Sequence, residues 1–239
     1  MGILVNAAYL MMIEGKRQSF KGTVLQLGRQ SVLFSYAMLK NLAMQVEFNL
    51  VKIDISNENK FLTDVQFFTL LGFEQVQSME FGTSEGATYI WDMNHPTPEV
   101  LNERFDFIYD GGTLEHIFHI PNAIASVCRM LVIGGRVIHD GGISGQIDHG
   151  FYAIQPTLYY DFYKANDFQT DLFTVSKIEL AKWLTQTGTQ VPYVNGQYDY
   201  DKTWAMSSDH FYSAVCFATK LKSFSEMTVP QQSIWSRSE

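Results

Sequence analysis

The stretch FDFIYDGGTLEHIFHIPNAIASVCRMLVIGGRVIHDGG, residues 105–142, says most about how the chain folds. It begins with a short, largely apolar run that is typical of a buried strand, and Asp110 ends this run. Gly111 and Gly112 then allow the backbone to turn tightly. Thr113 is a suitable N-cap, because its hydroxyl can accept a hydrogen bond from a free backbone amide. Apolar residues recur at helical spacing further along, so this pattern predicts a helix after Thr113.

The second half of the stretch predicts another strand. Gly134-Gly135 indicate the end of the helix, and Arg136 to His139 begin a second apolar run. A strand, a helix and a strand over this length predict two parallel strands joined by a crossover. In such sheets ligands bind beyond the carboxyl ends of the strands, where Asp110 and the pair His139-Asp140 are expected to lie.

The same stretch resembles the later motifs of class I S-adenosylmethionine-dependent methyltransferases. In that family a strand similar to FDFIYD is followed by LEHI, a helix and an L-x-x-G-G-R strand, and residues 114–117 and 131–136 match in order and spacing. The resemblance implies an α/β fold with a doubly wound, mostly parallel seven-stranded sheet and helices on both faces. It also implies S-adenosylmethionine as the cofactor and a small molecule as the methyl acceptor.

A longer string resembles a narrower branch found with bacterial surface-polysaccharide biosynthesis. The string consists of DGGTLEHIF, DHGFY, a proline and YYDFY, in that order between residues 110 and 163. This resemblance implies that the acceptor is a hydroxyl group of a sugar or glycan precursor.

The composition predicts a folded enzyme-sized domain. The chain has 239 residues, of which 46% are hydrophobic and 18% are charged, so a buried core is expected. We expect one domain over residues 1–220, with lid insertions near 141–168 and 185–209, and a loosely held tail at 221–239. The net charge of −8 argues against non-specific binding to nucleic acid or to an anionic membrane.

The location predicted from the sequence is cytoplasmic. Cys128 and Cys216 lie in apolar runs and are expected to be buried, free thiols of a reducing compartment. No segment has the apolar length of a membrane span, and the apolar start lacks the features of a signal peptide. Whether the protein forms a homodimer is left open.

Patterns along the rest of the chain predict alternating helices and strands. The predicted helices cover residues 3–14, 31–46, 61–71, 99–104 and a segment that starts at Pro156, and the predicted strands cover 23–27, 75–79, 87–91, 172–175 and 210–219, with a short strand considered at 49–53 and no clear helix or strand between Leu184 and the last strand.

The loop after the first strand departs from the family pattern. The family carries an acidic residue and a glycine-rich loop here, whereas this chain reads TVLQLGRQ and keeps only Gly28. Gln26 replaces the acid, and Arg29 and Gln30 replace small residues. Either the cofactor binds in a modified way or it does not bind. The second possibility describes a methyltransferase-like domain without catalysis that serves as a binding or scaffold module.

Other cofactor contacts follow from the resemblance. Glu80 closes the strand where the family places an acid on the two ribose hydroxyls, and two carboxylate oxygens suit two hydroxyl donors. Asp92 and Met93 occupy the place of the adenine contacts. Asp110 and Gly111 are also predicted to bind the cofactor. An ordinary solvated acid at a strand end is an equal alternative for Glu80.

Proton transfer and acceptor binding have their own candidates. His149 lies in a glycine-rich loop beside Asp148 and is the predicted base, with Asp110 and His139 as further catalytic candidates. The alternative is that His149 only bonds within the lid. Predicted acceptor contacts are His116, Tyr152 and Tyr159, although tyrosines of this segment are also expected to pack on the sheet.

Two other chemistries are disfavoured. The first is metal chemistry. The zinc-protease motif is not matched by Glu115-His116-Ile117-Phe118-His119. A divalent ion could bind to Asp110, Asp140 and Asp148, but we favour a metal-free site. A nicotinamide enzyme is disfavoured because G-x-G-x-x-G does not follow Leu27.

Overall fold

The chain forms a central sheet with helices on both faces, and a computed structural model describes residues 2–196 and 209–235 of it. The strands in these residues are β1 (Gly2–Ile3), β2 (Thr23–Leu27), β3 (Ser31–Val32), β4 (Gln75–Glu80), β5 (Tyr89–Ile90), β6 (Phe105–Asp110), β7 (Leu131–Ser144), β8 (Phe168–Glu179), β9 (Thr189–Pro192) and β10 (His210–Lys220). The helices are α1 (Val5–Arg17), α2 (Tyr36–Gln45), α3 (Asp64–Leu71), α4 (Ile120–Met130) and α5 (Pro156–Ala165), with short 3₁₀ turns at Glu99–Leu101 and Leu114–His116.

The order of the strands creates a crevice at the middle of the sheet. In space the order is β5-β4-β2-β6-β7-β10-β8-β9, and the first five strands are parallel. From β2 the chain runs outward to β4 and β5 and then returns to β6 on the other side of β2. Leu27 pairs with both Met79 and Asp110, so the carboxyl ends of three strands meet at one edge. A ligand site is expected where the order reverses.

The predicted fold class is confirmed, with two deviations. The sheet has eight strands among the described residues instead of seven, because β9 adds an antiparallel strand to the edge of β8. β10 runs antiparallel to both of its neighbours, so the sheet is mixed on that side. The short strand β9 lies in a polar segment where no strand was expected.

The core lies in two layers, one on each face of the sheet. Phe107 and Tyr109 of β6 face the layer formed with α1, α2 and α3, whereas Ile108 faces the layer formed with α4 and α5. Both faces of this strand are therefore buried, as expected for a parallel strand covered by helices. The two cysteines, Cys128 and Cys216, are buried and free, as predicted.

Two predicted helix starts were wrong. The segment from Ser31 pairs as a strand with Gly2–Ile3, and α2 begins after Ser35, whose Oγ accepts from the amide of Met38 at 3.3 Å. Thr113 does not cap α4, which starts seven residues later, and its Oγ1 instead donates to the carbonyl of Leu27 at 2.5 Å. A 3₁₀ turn follows Thr113, and α4 starts only at Ile120.

Other bounds also differ from those predicted. No strand forms at 49–53, the predicted strand at 87–91 shortens to Tyr89–Ile90, and the helix at 99–104 shortens to a 3₁₀ turn. β7 starts at Leu131, directly after α4, and contains Gly134 with a φ of +81°. The register of β7 on β6 shifts here: Leu131 pairs with Phe105, and regular pairing resumes where Arg136 pairs with Phe107.

The C-terminal tail contacts the domain at Thr228, within the segment predicted to be a loosely held tail. The carbonyl of Thr228 accepts from the Asn166 amide group at 2.9 Å, and its amide donates to Asn166 Oδ1 at 2.8 Å. Phe224 and Met227 pack against the layer of α4 and α5. The second predicted lid falls partly on residues 197–208, which lie outside the described residues.

Among the described residues no helix combines the length and the apolar character that crossing a bilayer requires.

Candidate active site

A first cavity, the cofactor cavity, lies at the point where the strand order reverses. Its volume is about 330 Å³, within the usual range for small-molecule sites. It is lined by residues from the ends of β2, β4, β5 and β6 and from the turns that follow them. The residues that matter below are Gly28, Glu80, Asp92, Met93, Thr113 and His116.

Gly28 and Glu80 shape one wall of this cavity. Gly28 has a φ of +71°, and a Cβ on it would lie 2.8 Å from Thr113 Oγ1. Its amide donates to the carbonyl of Met79 at 2.8 Å. Glu80 Oε1 accepts from the amide of Arg29 at 2.6 Å. The turn after β2 is therefore tied to the end of β4, and only glycine fits the position of Gly28 without strain.

The carboxylate of Asp64, from α3, lies beside Gln26, the residue of β2 that replaces the expected acid. Its Oδ2 accepts from Gln26 Nε2 at 3.1 Å and from Arg29 Nε at 3.0 Å. Arg29 also donates to the carbonyl of Glu85 at 2.8 Å. Burial raises the pKa of the Asp64 carboxyl, but these hydrogen bonds outweigh it and the pKa is lowered overall. The turn that replaces the glycine-rich loop is thus fixed by a residue of α3, which the sequence pattern did not identify.

Asp92 and Met93 occupy a well-fixed turn at the other side of the cofactor cavity. Asp92 Oδ1 accepts from the backbone and the side-chain amide of Asn94, each at 2.9 Å, and these bonds lower the pKa of Asp92. The carbonyl of Met93 accepts from Asn122 at 3.0 Å. His95 Nε2 lies 3.8 Å from Asp92 Oδ2. The structure therefore brings Glu80, Asp92 and Met93 to one cavity, as predicted, while their binding roles stay predictions.

Asp110 and His139 form a buried chain of hydrogen bonds. Asp110 Oδ1 accepts from the amide of Thr113 at 2.8 Å, and Oδ2 lies 2.7 Å from His139 Nδ1. His139 Nε2 lies 2.5 Å from the hydroxyl of Tyr163, and the ring of Tyr159 stacks on the imidazole with centroids 4.5 Å apart. All of these side chains except that of Thr113 are buried. Since both nitrogens of His139 are engaged, the geometry favours a role in holding the turn after β6 over direct proton transfer by His139.

The same burial bears on Tyr159, a predicted acceptor contact. Its side chain is 1% exposed and its ring stacks on that of His139, while its role as an acceptor contact stays a prediction. Tyr152, another predicted contact, lies nearer the surface and donates from its hydroxyl to the carbonyl of Phe118 at 2.9 Å. The role of Tyr152 as an acceptor contact also stays a prediction.

A second cavity, the acceptor cavity, adjoins the first. Its volume is about 540 Å³, and most of its lining is apolar, with Leu4, Leu33, Ile178, Leu180, Trp183 and Phe211 among the contributors. Polar groups are few and include Asp140, Gln146 and His149. Gly111 lines this cavity, whereas the next residue, Gly112, lines the cofactor cavity. The two cavities therefore meet at the turn after β6.

Asp140 is a polar residue of this cavity that the prediction of catalytic residues missed. Burial, together with repulsion from Asp110, raises the pKa of Asp140 from 3.8 to about 6, although the nearby hydroxyl of Ser213 opposes the shift. Successive side chains of a strand point to opposite faces, so His139 lies towards α5 while Asp140 reaches the acceptor cavity. This alternation was the signal in the sequence that could have identified Asp140.

Glu115, His116 and His149 form a third group at the border of both cavities. His149 Nε2 lies 3.9 Å from Glu115 Oε1, and the rings of His116 and His149 are 5.0 Å apart. Burial, and then the charge of Asp110, raises the pKa of Glu115 to about 8. Burial, and then His149, lowers the pKa of His116. The predicted residues His116 and His149 are thus brought together, with Glu115 between them as an addition.

Comparisons with known proteins support the fold. No family profile and no curated protein sequence matches the chain. Among solved structures, one described as a putative methyltransferase from Bacillus halodurans matches 90% of this chain and 99% of its own, with 9% identity and a TM-score of 0.50. The chain is also similar to the YcgJ protein of Bacillus subtilis, with 11% identity over 90% of this chain and 98% of that one and a TM-score of 0.49. A methyltransferase from Archaeoglobus fulgidus matches with 10% identity over 89% of this chain and 94% of its own and a TM-score of 0.46. The first of these likenesses shows a methyltransferase-type α/β fold.

Proposed function

We propose that the protein transfers the methyl group of S-adenosylmethionine to a hydroxyl group of a small molecule. The observation that carries this proposal is the pair of adjoining cavities at the reversal of the strand order. One is bordered by acids at the ends of β4 and β5, and the other is apolar with a few groups that can accept a proton. A cofactor and an acceptor need such neighbouring sites.

The residues of the cofactor cavity fit the parts of S-adenosylmethionine. Glu80 has one oxygen bonded to the Arg29 amide, and its second oxygen can accept from ribose hydroxyls. Asp92 and the backbone at Met93 would hold the adenine. Gly111 lines the acceptor cavity at the turn where the two cavities meet, so it would lie near the methyl-bearing end of the cofactor. Bound in this way, the cofactor supplies an activated methyl group on a sulfonium. Positioning by the protein then provides much of the rate.

Two residues of the acceptor cavity can take the proton of the acceptor hydroxyl. His149 is the base predicted from the sequence, because an imidazole nitrogen can accept a proton. Asp140 is the second candidate, because its raised pKa of about 6 makes it a better proton acceptor than an ordinary aspartate. Both side chains line the acceptor cavity.

The nature of the acceptor follows in part from the cavity lining. Aromatic side chains such as Trp183 and Phe211 offer faces on which a flat or ring-shaped acceptor can stack. The low number of polar groups favours an acceptor that carries an apolar part next to its hydroxyl. A sugar or glycan precursor, a cytoplasmic location and a homodimer stay predictions.

A binding or scaffold module without catalysis is the second candidate, and the unusual turn after β2 favours it. Calorimetric titration of the purified protein with S-adenosylmethionine and S-adenosylhomocysteine tests the proposal. We expect one molecule of either ligand to bind per chain. Absence of binding would overturn the proposed function. Binding without methyl release, when hydroxyl acceptors with apolar rings or chains are supplied, would favour the module.

A further inference from the structure

Three side chains with metal-ligating atoms meet at the border of the two cavities. Glu115, His116 and His149 each offer one ligand atom, and these atoms all lie within 4.8 Å of one another. Bonds from a first-row metal ion to imidazole nitrogen or carboxylate oxygen are about 2 Å long, so ligand atoms on one ion lie up to about 4 Å apart. A shift of less than about 1 Å, within the reach of side-chain rotation, would bring the three atoms to one ion.

The carboxylate of Glu115 has no partner that explains its burial. Its side chain is 3% exposed, and neither of its oxygens has a hydrogen bond to the described residues. His149 Nε2, at 3.9 Å, is too far from Oε1 for a hydrogen bond, and this nitrogen is itself buried without a partner. A buried polar group without a partner costs free energy, and a buried carboxylate costs more. A bound cation would satisfy all of these atoms at once.

We propose that Glu115, His116 and His149 bind one divalent transition-metal ion of the Zn²⁺, Mn²⁺ or Fe²⁺ class. Imidazole ligands suit these ions, whereas Mg²⁺ prefers oxygen ligands. Two histidines and one carboxylate leave coordination positions open, as in catalytic rather than closed structural sites. This assignment replaces the metal-free site that the sequence favoured, where the order of residues 115–119 did not match the zinc-protease motif.

The position of the ion would connect the two cavities. His116 lines the cofactor cavity, and His149 lines the acceptor cavity. Resting on the proposed function, the open positions of the ion would bind the acceptor oxygen beside the cofactor. His149 would then serve as a metal ligand, and Asp140 would be left to take the proton of the acceptor hydroxyl.

The test is a metal titration that does not depend on methyl transfer. Protein stripped with a chelator is titrated with Zn²⁺ by calorimetry and with Co²⁺ by visible absorption. We expect one ion per chain, and we expect Glu115→Gln and His149→Ala each to weaken binding at least tenfold and to reduce the absorption of bound Co²⁺. His95→Ala is the matched control, because His95 also lies near a carboxylate, that of Asp92, but belongs to no three-residue cluster of the described residues.

Two outcomes would overturn the metal site. One is the absence of saturable binding in the unmodified protein, and the other is unchanged affinity in both Glu115→Gln and His149→Ala. Far-UV circular dichroism checks that the variants fold, and His149→Ala changes a half-buried loop residue, so it tests the site even where Glu115→Gln does not fold. Titration of the stripped protein with S-adenosylhomocysteine tests the proposed function separately.

Discussion

At the scale of single residues, Glu80 contributes to the cofactor cavity in two ways. It fixes the turn after β2 through the amide of Arg29, and it offers a second oxygen to a ligand. We predict that Glu80→Ala weakens binding of S-adenosylhomocysteine at least tenfold, about 1.4 kcal/mol, which is the low end for a charge-assisted hydrogen bond. Calorimetry measures the affinity. Glu85→Ala, which removes an exposed acid nearby and keeps the carbonyl that holds Arg29, should bind normally. Equal affinities in the two variants would contradict the assignment.

Asp140 makes the stability of the protein depend on pH. Its pKa is about 6 in the folded protein and 3.8 ordinarily, so the folded state holds more protons between about pH 4 and pH 6. Stability from this group is therefore complete at low pH and is lost as the pH rises through about 6. The difference between a pKa of 3.8 and one of about 6 corresponds to at most about 3 kcal/mol of folding free energy.

Asp140→Asn should remove the part of the pH dependence that comes from Asp140 and leave the part that comes from Glu115, whose pKa is about 8. Urea unfolding at a series of pH values from about 4.5 to 7.5 gives the free energy of unfolding for both proteins, and the difference between the variant and the unmodified protein should grow with pH. A constant difference would show that Asp140 titrates normally and is a weaker candidate for the base.

At the scale of elements, the turn after β2 is built from residues that lie far apart in the chain. Arg29 is held by Asp64 of α3 and by the carbonyl of Glu85, and no glycine-rich loop is needed to keep the backbone in place. We predict that Arg29→Ala weakens S-adenosylhomocysteine binding about three- to tenfold, because the freed turn must be ordered on binding. Arg104→Ala, which removes an exposed arginine outside the cavity, is the control in the same titration. An affinity for Arg29→Ala equal to that of the control would show that the turn is ordered without Asp64.

Elements with strong local signals could be predicted from the sequence. β2 and β6 are apolar runs that end at a glycine and an acid, and α3 ends at Gly72, which has a φ of +116°. These features depend on neighbouring residues only. The meeting of Glu80 and Asp92 at one edge then follows from the parallel order of the strands.

Elements that depend on distant partners could not be predicted in the same way. Ser31 and Val32 form a strand only because Gly2 and Ile3 lie beside them. The hydroxyl of Thr113 bonds to the end of β2, and a 3₁₀ turn rather than α4 follows it. Asp64 and Glu115 gained their importance from the burial and the contacts around them, which no spacing in the sequence reports.

At the scale of the whole molecule, α1 connects the two ends of the sheet. Near its start, Asn6 Oδ1 accepts from the amide of Gly188 at 2.9 Å, and Asn6 also lines the acceptor cavity. Near its end, Glu14 Oε1 accepts from Arg136 at 2.8 Å and from Arg17 at 2.7 Å. The side chains of Glu14 and Arg136 are 0% and 5% exposed. This buried group attaches α1 to β7 at the edge opposite the cavities.

Loss of one member of this group should destabilise the protein strongly. Glu14→Gln keeps the shape of the side chain but leaves Arg136 buried without its counter-charge, so we predict a loss of about 3 kcal/mol in the free energy of unfolding by urea. Glu58→Gln, which alters an exposed ion pair with Lys40, should leave the unfolding midpoint unchanged. Because no residue of α1 lines the cofactor cavity, the folded fraction of Glu14→Gln should still bind S-adenosylhomocysteine with normal affinity. A stability equal to that of the control would mean that the backbone carbonyls of Gln18 and Ser19, which also accept from Arg136, are enough to hold the guanidinium.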